Sequence, residues 1–157
     1  MRISLLMALA LALPFGSGIA AGLRLKGVTI DCVDGRRYNL ANIPVFAFDA
    51  KKSESLNNLI RDADTAYATD DAEVAKRAWA NSERLVHFVR AAPRLASAKS
   101  GKDGTFMMEI PNSGSDLIVF AYASSDEGPA FIYAYARVAG KDLAGPVLVA
   151  FTPGCGL

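Results

Sequence analysis

The spacing of apolar positions changes twice along this chain. In LRLKGVTIDC, residues 23–32, Leu23 and Leu25 share one parity while Val28, Ile30 and Cys32 share the other, and Gly27 stands at the switch. Alternation predicts a strand, and a parity change at a glycine predicts a bulge there. Asp34-Gly35 follows as a turn. IPVFAFDA, residues 43–50, is the next predicted strand, with Pro44 at its entry, where a missing donor is tolerable. The period then lengthens. Leu56, Leu59, Ile60, Ala63 and Tyr67 recur at helical spacing, with Ser53 or Ser55 placed to cap the N-terminus. A second helix is predicted to begin at Asp70 and Asp71, with Glu73 three positions after Asp70, and to end before Pro93. Its wheel puts Val74, Ala75, Ala78, Trp79, Ser82, Leu85, Val86, Phe88 and Val89 on one side. Glu73, Lys76, Arg77, Glu83, Arg84, His87 and Arg90 fall on the other. Trp79 is expected to anchor the core.

Beyond Pro93 the pattern predicts sheet. GTFMMEIP sets Phe106, Met108 and Ile110 against Met107 and Glu109. DLIVFAYAS and PAFIYAYARVA are apolar on both parities, as strands covered on both faces are. GPVLVAF closes the fold. The fold class expected is mainly β: a two-sheet antiparallel sandwich, with a two-helix insertion over about 53–92 packed on one sheet. An outer sheet face rich in aromatics must be covered by those helices or by a partner.

The opening MRISLLMALALALPFGSGIAAG has one basic residue, Arg2, an apolar run from Ile3 to Leu13, Pro14, and small residues through Ala20 and Ala21. That order predicts a signal peptide over 1–21. A retained anchor is the alternative, although the run is shorter than the roughly 20 apolar residues a spanning helix needs. Export makes residues 22–157 one domain, periplasmic or secreted. No later segment is apolar enough to cross a membrane. Seventeen basic side chains, Arg2 among them, face sixteen acidic ones. No basic run suggests nucleic acid as a partner, and no polybasic patch suggests anionic lipid. Cys32 and Cys155 both lie in the exported part, where disulfides persist. One bridge between them would tie the start of the domain to its end. Two free thiols or an intermolecular bond are the alternatives.

GVTIDCVDGRRYNLANIPVFAFDA and SGKDGTFMMEIPNSGSDLIVFAYAS together resemble the transthyretin-like, carboxypeptidase-regulatory-like family of β-sandwiches. Asp103, Gly104 and Phe106 match the D-G-x-F element of its turn and strand, with Lys102 in place of a commoner acidic or small residue. Pro111 and Gly114 match loosely, with Asn112 and Ser113 between them. The likeness covers Gly27–Phe48 and Ser100–Phe151. It implies an Ig-like, prealbumin-like sandwich and is nearly silent on activity. Asp103-Gly104 then reads as a type I′ turn, which makes Asp103 structural.

Candidate chemistry is sparse. His87 is the only histidine, on the polar face of the second helix, so a two-histidine metal site is impossible. Ring-opening dioxygenases and hydroxyisourate hydrolases of related fold need more histidines. No Gly-x-Ser-x-Gly elbow or Cys-x-x-Cys pair appears. Asp62/Asp64 and Asp70/Asp71 lie at expected helix ends. Lys26 could enter an isopeptide bond, but the last strand has no asparagine. No catalytic, metal or cofactor residues are therefore assigned. The function expected is a non-enzymatic exported binding or assembly module for a protein or cell-envelope partner. Phe131, Tyr133, Tyr135, Phe46 and Phe48 form its candidate contact surface. The alternatives are a small periplasmic hydrolase using carboxylates, or an inhibitor of an exported protease acting through the Ser124–Gly128 loop.

Overall fold

The computed structural model describes residues 22–66, 71–111, 114–124, 131–143, 145–152 and 155. The expected signal peptide lies outside them, as do Tyr67, Asp70, Asn112, Ser113 and most of the Ser124–Gly128 loop. Among the described residues the chain is mainly β, with two sheets of four strands and two helices. The first sheet holds β1 (Leu23–Val33), β2 (Arg36–Asn39), β5 (Thr105–Ile110) and β8 (Val147–Ala150). The second runs in the order β4 (Ala96–Lys99), β3 (Pro44–Asp49), β6 (Leu117–Ser124), β7 (Phe131–Val138). Helices α1 (Glu54–Ala66) and α2 (Ala72–Ala91) interrupt the chain between β3 and β4.

β1 is the shared strand of the first sheet. Its residues Leu23–Val28 pair antiparallel with β5, and Ile30–Val33 pair antiparallel with β2. Gly27–Ile30 pair with β8 in parallel, so the sheets are not wholly antiparallel as expected. The pairing with β5 runs through Gly27 without a break, and the pairing with β8 starts at it, so the expected bulge is absent. The glycine serves close packing instead: a Cβ there would strike the Phe106 ring and lie 2.5 Å from the Val147 carbonyl oxygen. Leu25, Gly27 and Thr29 face inward on one parity, while Ile30, on the other, is also buried. That combination imitates a parity switch in the sequence.

Strands β3, β6 and β7 of the second sheet divide their side chains between two cores. Val45, Ala47, Leu117, Val119, Ala121 and Ala134 meet Leu25, Phe106, Met108, Ile110 and Val149 of the first sheet. Phe46, Phe48, Ile118 and Phe120 point the other way, against Leu56, Ile60 and Ala63 of α1 and Leu85 and Val89 of α2. The doubly apolar strands are thus covered on one face by a sheet and on the other by the helices. Asp71 caps α2, accepting the Glu73 N–H at 2.8 Å. Trp79 is not a core anchor: it is 47% exposed. At 100° per residue it stands roughly 70° from the centre of the stripe formed by Ser82, Leu85, Val86 and Val89, on its margin.

The β1–β2 hairpin turns through Asp34 (φ 51°) and Gly35 (φ 71°), the two positive angles that a type I′ turn requires. Asp103-Gly104 is different. Only Gly104 has positive φ (76°), and this turn carries the chain from β4 in one sheet to β5 in the other. A two-residue hairpin cannot make that crossing. Asp103 accepts the Thr105 hydroxyl (2.7 Å) and N–H (3.1 Å), which together hold its carboxyl below the usual range. Buried Thr29 and Ser100 fasten the same corner, each with its hydroxyl 2.7 Å from the Leu40 carbonyl.

Candidate functional site

The seam between the helices and the second sheet gathers most of the polar and aromatic groups with functional potential. Near the end of α1, Asp64 accepts hydrogen bonds from two phenols, Tyr133 at 2.7 Å and Tyr135 at 2.6 Å. The tyrosines are two residues apart on β7 and so project from one face. Tyr133 also stacks on Phe120, with centroids 5.7 Å apart. The bond to the Asp64 carboxylate, followed by burial, holds the Tyr135 phenol above its ordinary pKa, with the Arg137 guanidinium opposing.

Phe131 meets Tyr122 edge-on at 5.7 Å and His87 edge-on at 6.3 Å. Tyr122 stacks on Phe46 at 6.0 Å, and the Arg94 guanidinium lies 4.8 Å from the Phe46 centroid. Of the five aromatics expected to form a contact surface, Phe46 and Phe48 lie buried beneath the helices. Tyr133, Tyr135 and Phe131 are half-buried along the seam.

At its other end the seam opens into a cleft of about 340 Å³. Phe48, Phe88, Ala92 and Leu95 give it an apolar lining; Lys52, Ser53 and Glu54 border it at the start of α1, and Arg94 beyond α2. Lys52, Glu54 and Arg94 are exposed. Asp49, at the cleft's edge, is buried and accepts the N–H groups of Lys51 (3.0 Å) and Lys52 (3.2 Å). Burial pushes its carboxyl up, but those two donors, the Ser115 hydroxyl and the Lys52 charge together hold it below the usual value. A second, more open hollow of 530 Å³ lies among Asn42, Ile43, Pro44, Lys99, Tyr122 and Ser124.

The described members of the acidic pairs do not converge. Asp62 stands 3.6 Å from Arg61, Asp64 is held by the tyrosines and Asp71 caps its helix. Among the described residues no group of three or more His, Cys, Asp or Glu side chains could hold a metal ion. No described helix is long and apolar enough to cross a membrane. Cys32 and Cys155 form a disulfide, with Cα atoms 5.6 Å apart. The cleft is what sequence reasoning missed. Phe88 carried the signal of an apolar helix flank, but nothing in the spacing joined Lys52 to Arg94 across the 41 intervening positions.

No family model matches the chain, and neither does any curated protein or solved structure.

Proposed function

We propose that this chain is an exported, non-catalytic binding module. Its frame is a transthyretin-like, carboxypeptidase-regulatory-like sandwich carrying a helical lid, and its ligand site is the cleft between lid and sheet. The carrying observation is the cleft itself: an apolar lining of Phe48, Phe88 and Leu95 bordered by the exposed side chains of Lys52 and Arg94. Its size lies at the lower end of the roughly 300–1,000 Å³ typical of ligand pockets. It suits a small amphipathic group, apolar against the phenylalanines, with an anionic end set beside Lys52 and Arg94 and away from the Glu54 and Asp49 carboxylates that border the same cleft. The committed roles of Asp49, Asp64, Asp71 and Asp103 in capping and latching favour binding over carboxylate catalysis. The disulfide and the leader pattern support export.

The test is an NMR titration of the oxidised chain over residues 22–157 with a small N-acylated leucine carboxylate. Shifts are expected at Lys52, Phe88 and Arg94, and Arg94→Glu is expected to weaken them. Arg94 is exposed, and an unchanged circular dichroism spectrum of the variant would show that the fold is kept despite the lost contact with Phe46. No shifts in the cleft, or equal shifts in the variant, would sink the reading.

A further inference from the structure

We propose that the β1–β2 hairpin is a docking surface for an extended acidic segment of another protein, which adds as a strand to the outer edge of β2. The surface shares no residue with the cleft and stands independently of it.

Exposed apolar side chains motivate the proposal. Val33 is 53% exposed and Tyr38 48% exposed, two of the four large apolar residues left in water among those described. They are not scattered. Val33 pairs with Arg36 and Asp31 with Tyr38, so Val33, Arg36 and Tyr38 project from one side of the ribbon, with Val33 and Tyr38 on a diagonal. Tyrosine and arginine around an apolar centre are the composition of binding hot spots.

The hairpin is also stiff. Its turn has the backbone that right-twisted strands favour. The disulfide from Cys32 to Cys155 ties it down at the Cys32–Arg37 pair, one pair from the turn. The Thr152 hydroxyl adds a contact to the Asp31 carboxylate and another to the Cys32 carbonyl. A surface already held in shape loses little entropy when it binds.

Edge and charge identify the occupant. β2 ends its strand order, and among the described residues it pairs with β1 alone. A free edge accepts an extended segment through main-chain hydrogen bonds. Arg36 and Arg37 occupy that edge strand, exposed, and neither forms an ion pair among the described residues. Asp31 is occupied by Thr152 and the Cys32 N–H, which leaves Asp34 at the tip as the one exposed carboxylate among the described residues of the hairpin. The same arginines argue against a second copy, because β2 laid on β2 would bring like charges together.

Two short capped peptides of alternating residues test this, one of glutamate and valine and one of lysine and valine, titrated into the oxidised chain by NMR. The glutamate peptide is expected to shift amides within 33–39 while cleft resonances stay still, and to bind more weakly as salt rises. The double variant Arg36→Glu, Arg37→Glu should lose roughly tenfold or more in affinity, equivalent to about 1.4 kcal/mol. Both side chains are exposed, and an unchanged circular dichroism spectrum would show that the fold is kept. Absence of shifts in the hairpin, equal binding of the lysine peptide, self-association through β2, or shifts confined to the cleft would each overturn the proposal.

Discussion

The Tyr135 hydroxyl stands 2.6 Å from Asp64 Oδ2, and this bond joins the last turn of the α1 helix to strand β7, 71 positions along the chain. With Tyr133 on the other oxygen, one carboxylate holds two phenols at the edge of the helical lid. Phenols donate best to a charged acceptor, so the latch is strongest while Asp64 is ionised and both tyrosines are neutral.

That arrangement predicts an alkaline sensitivity. The Tyr135 phenol is held above its ordinary value of 10.0 in the folded chain. A raised folded pKa contributes stability that is fully present below the unfolded value and lost as pH rises through the folded one. Ultraviolet titration should therefore show one tyrosine ionising late. Asp64→Asn should return it towards 10.0 and, with two charge-assisted bonds weakened at a half-buried site, lower stability by about 1–3 kcal/mol. An unchanged tyrosine titration in Asp64→Asn would count against the latch.

The elements legible in the sequence were those whose side chains alternate or recur with a strong apolar signal. β5 and β6 follow their patterns closely, and the apolar stripe of α2 is buried along Ser82, Leu85, Val86 and Val89. β4 was missed because Ala96, Ser97, Ala98 and Lys99 carry almost no amphipathic contrast; backbone pairing with Pro44–Ala47 makes that strand. Trp79 was misplaced because the wheel puts it on the apolar side although it stands on the margin of the buried stripe, where it is exposed. The Asp64 latch left no trace in the spacing, since a carboxylate on a helix and two tyrosines on a distant strand meet only through the tertiary fold.

Gly27 gives a sharper test of packing. The Val147 carbonyl oxygen, 2.5 Å from where a Cβ would stand, belongs to the backbone of β8 and cannot rotate away. Relief would have to come from displacing β8 or the buried Phe106 ring. Gly27→Ala is expected to cost at least about 2 kcal/mol by overpacking, read as a lower midpoint in urea unfolding. Were Gly27 merely a flexible bulge position, the same substitution would be nearly neutral.

The disulfide closes 123 positions of chain, nearly the whole of the described domain. On the chain-entropy account a loop of that length stabilises by about 4–5 kcal/mol, through restriction of the unfolded ensemble. Denaturant unfolding with and without reductant should differ by up to that amount. Because the bridge also ties down the β1–β2 hairpin close to its turn, hydrogen exchange at Cys32–Asn39 should quicken on reduction more than exchange in β6, which lies between β3 and β7. Uniform quickening would mean that the bond acts only on the unfolded chain.

Acid should loosen two corners at once. Asp49 and Asp103 both have carboxyls held below the ordinary 3.8, Asp49 by backbone N–H groups against the pull of burial, Asp103 by Thr105. A depressed folded pKa means that the unfolded chain binds the proton more readily, so each group's contribution is present above the unfolded value and lost as pH falls through the folded one. Stability is therefore expected to decline below pH 3.8 as these two groups take up protons. Asp49→Asn separates the two corners. The amide oxygen can still accept from Lys51 and Lys52 but cannot titrate, so the variant should lose stability at neutral pH while its dependence on acid becomes shallower. Amide exchange near Lys51 and Lys52 should then stop responding to acid, while exchange at Thr105 continues to respond. If both sites kept their acid response in Asp49→Asn, the carboxylate of Asp49 would not be what holds the turn into α1.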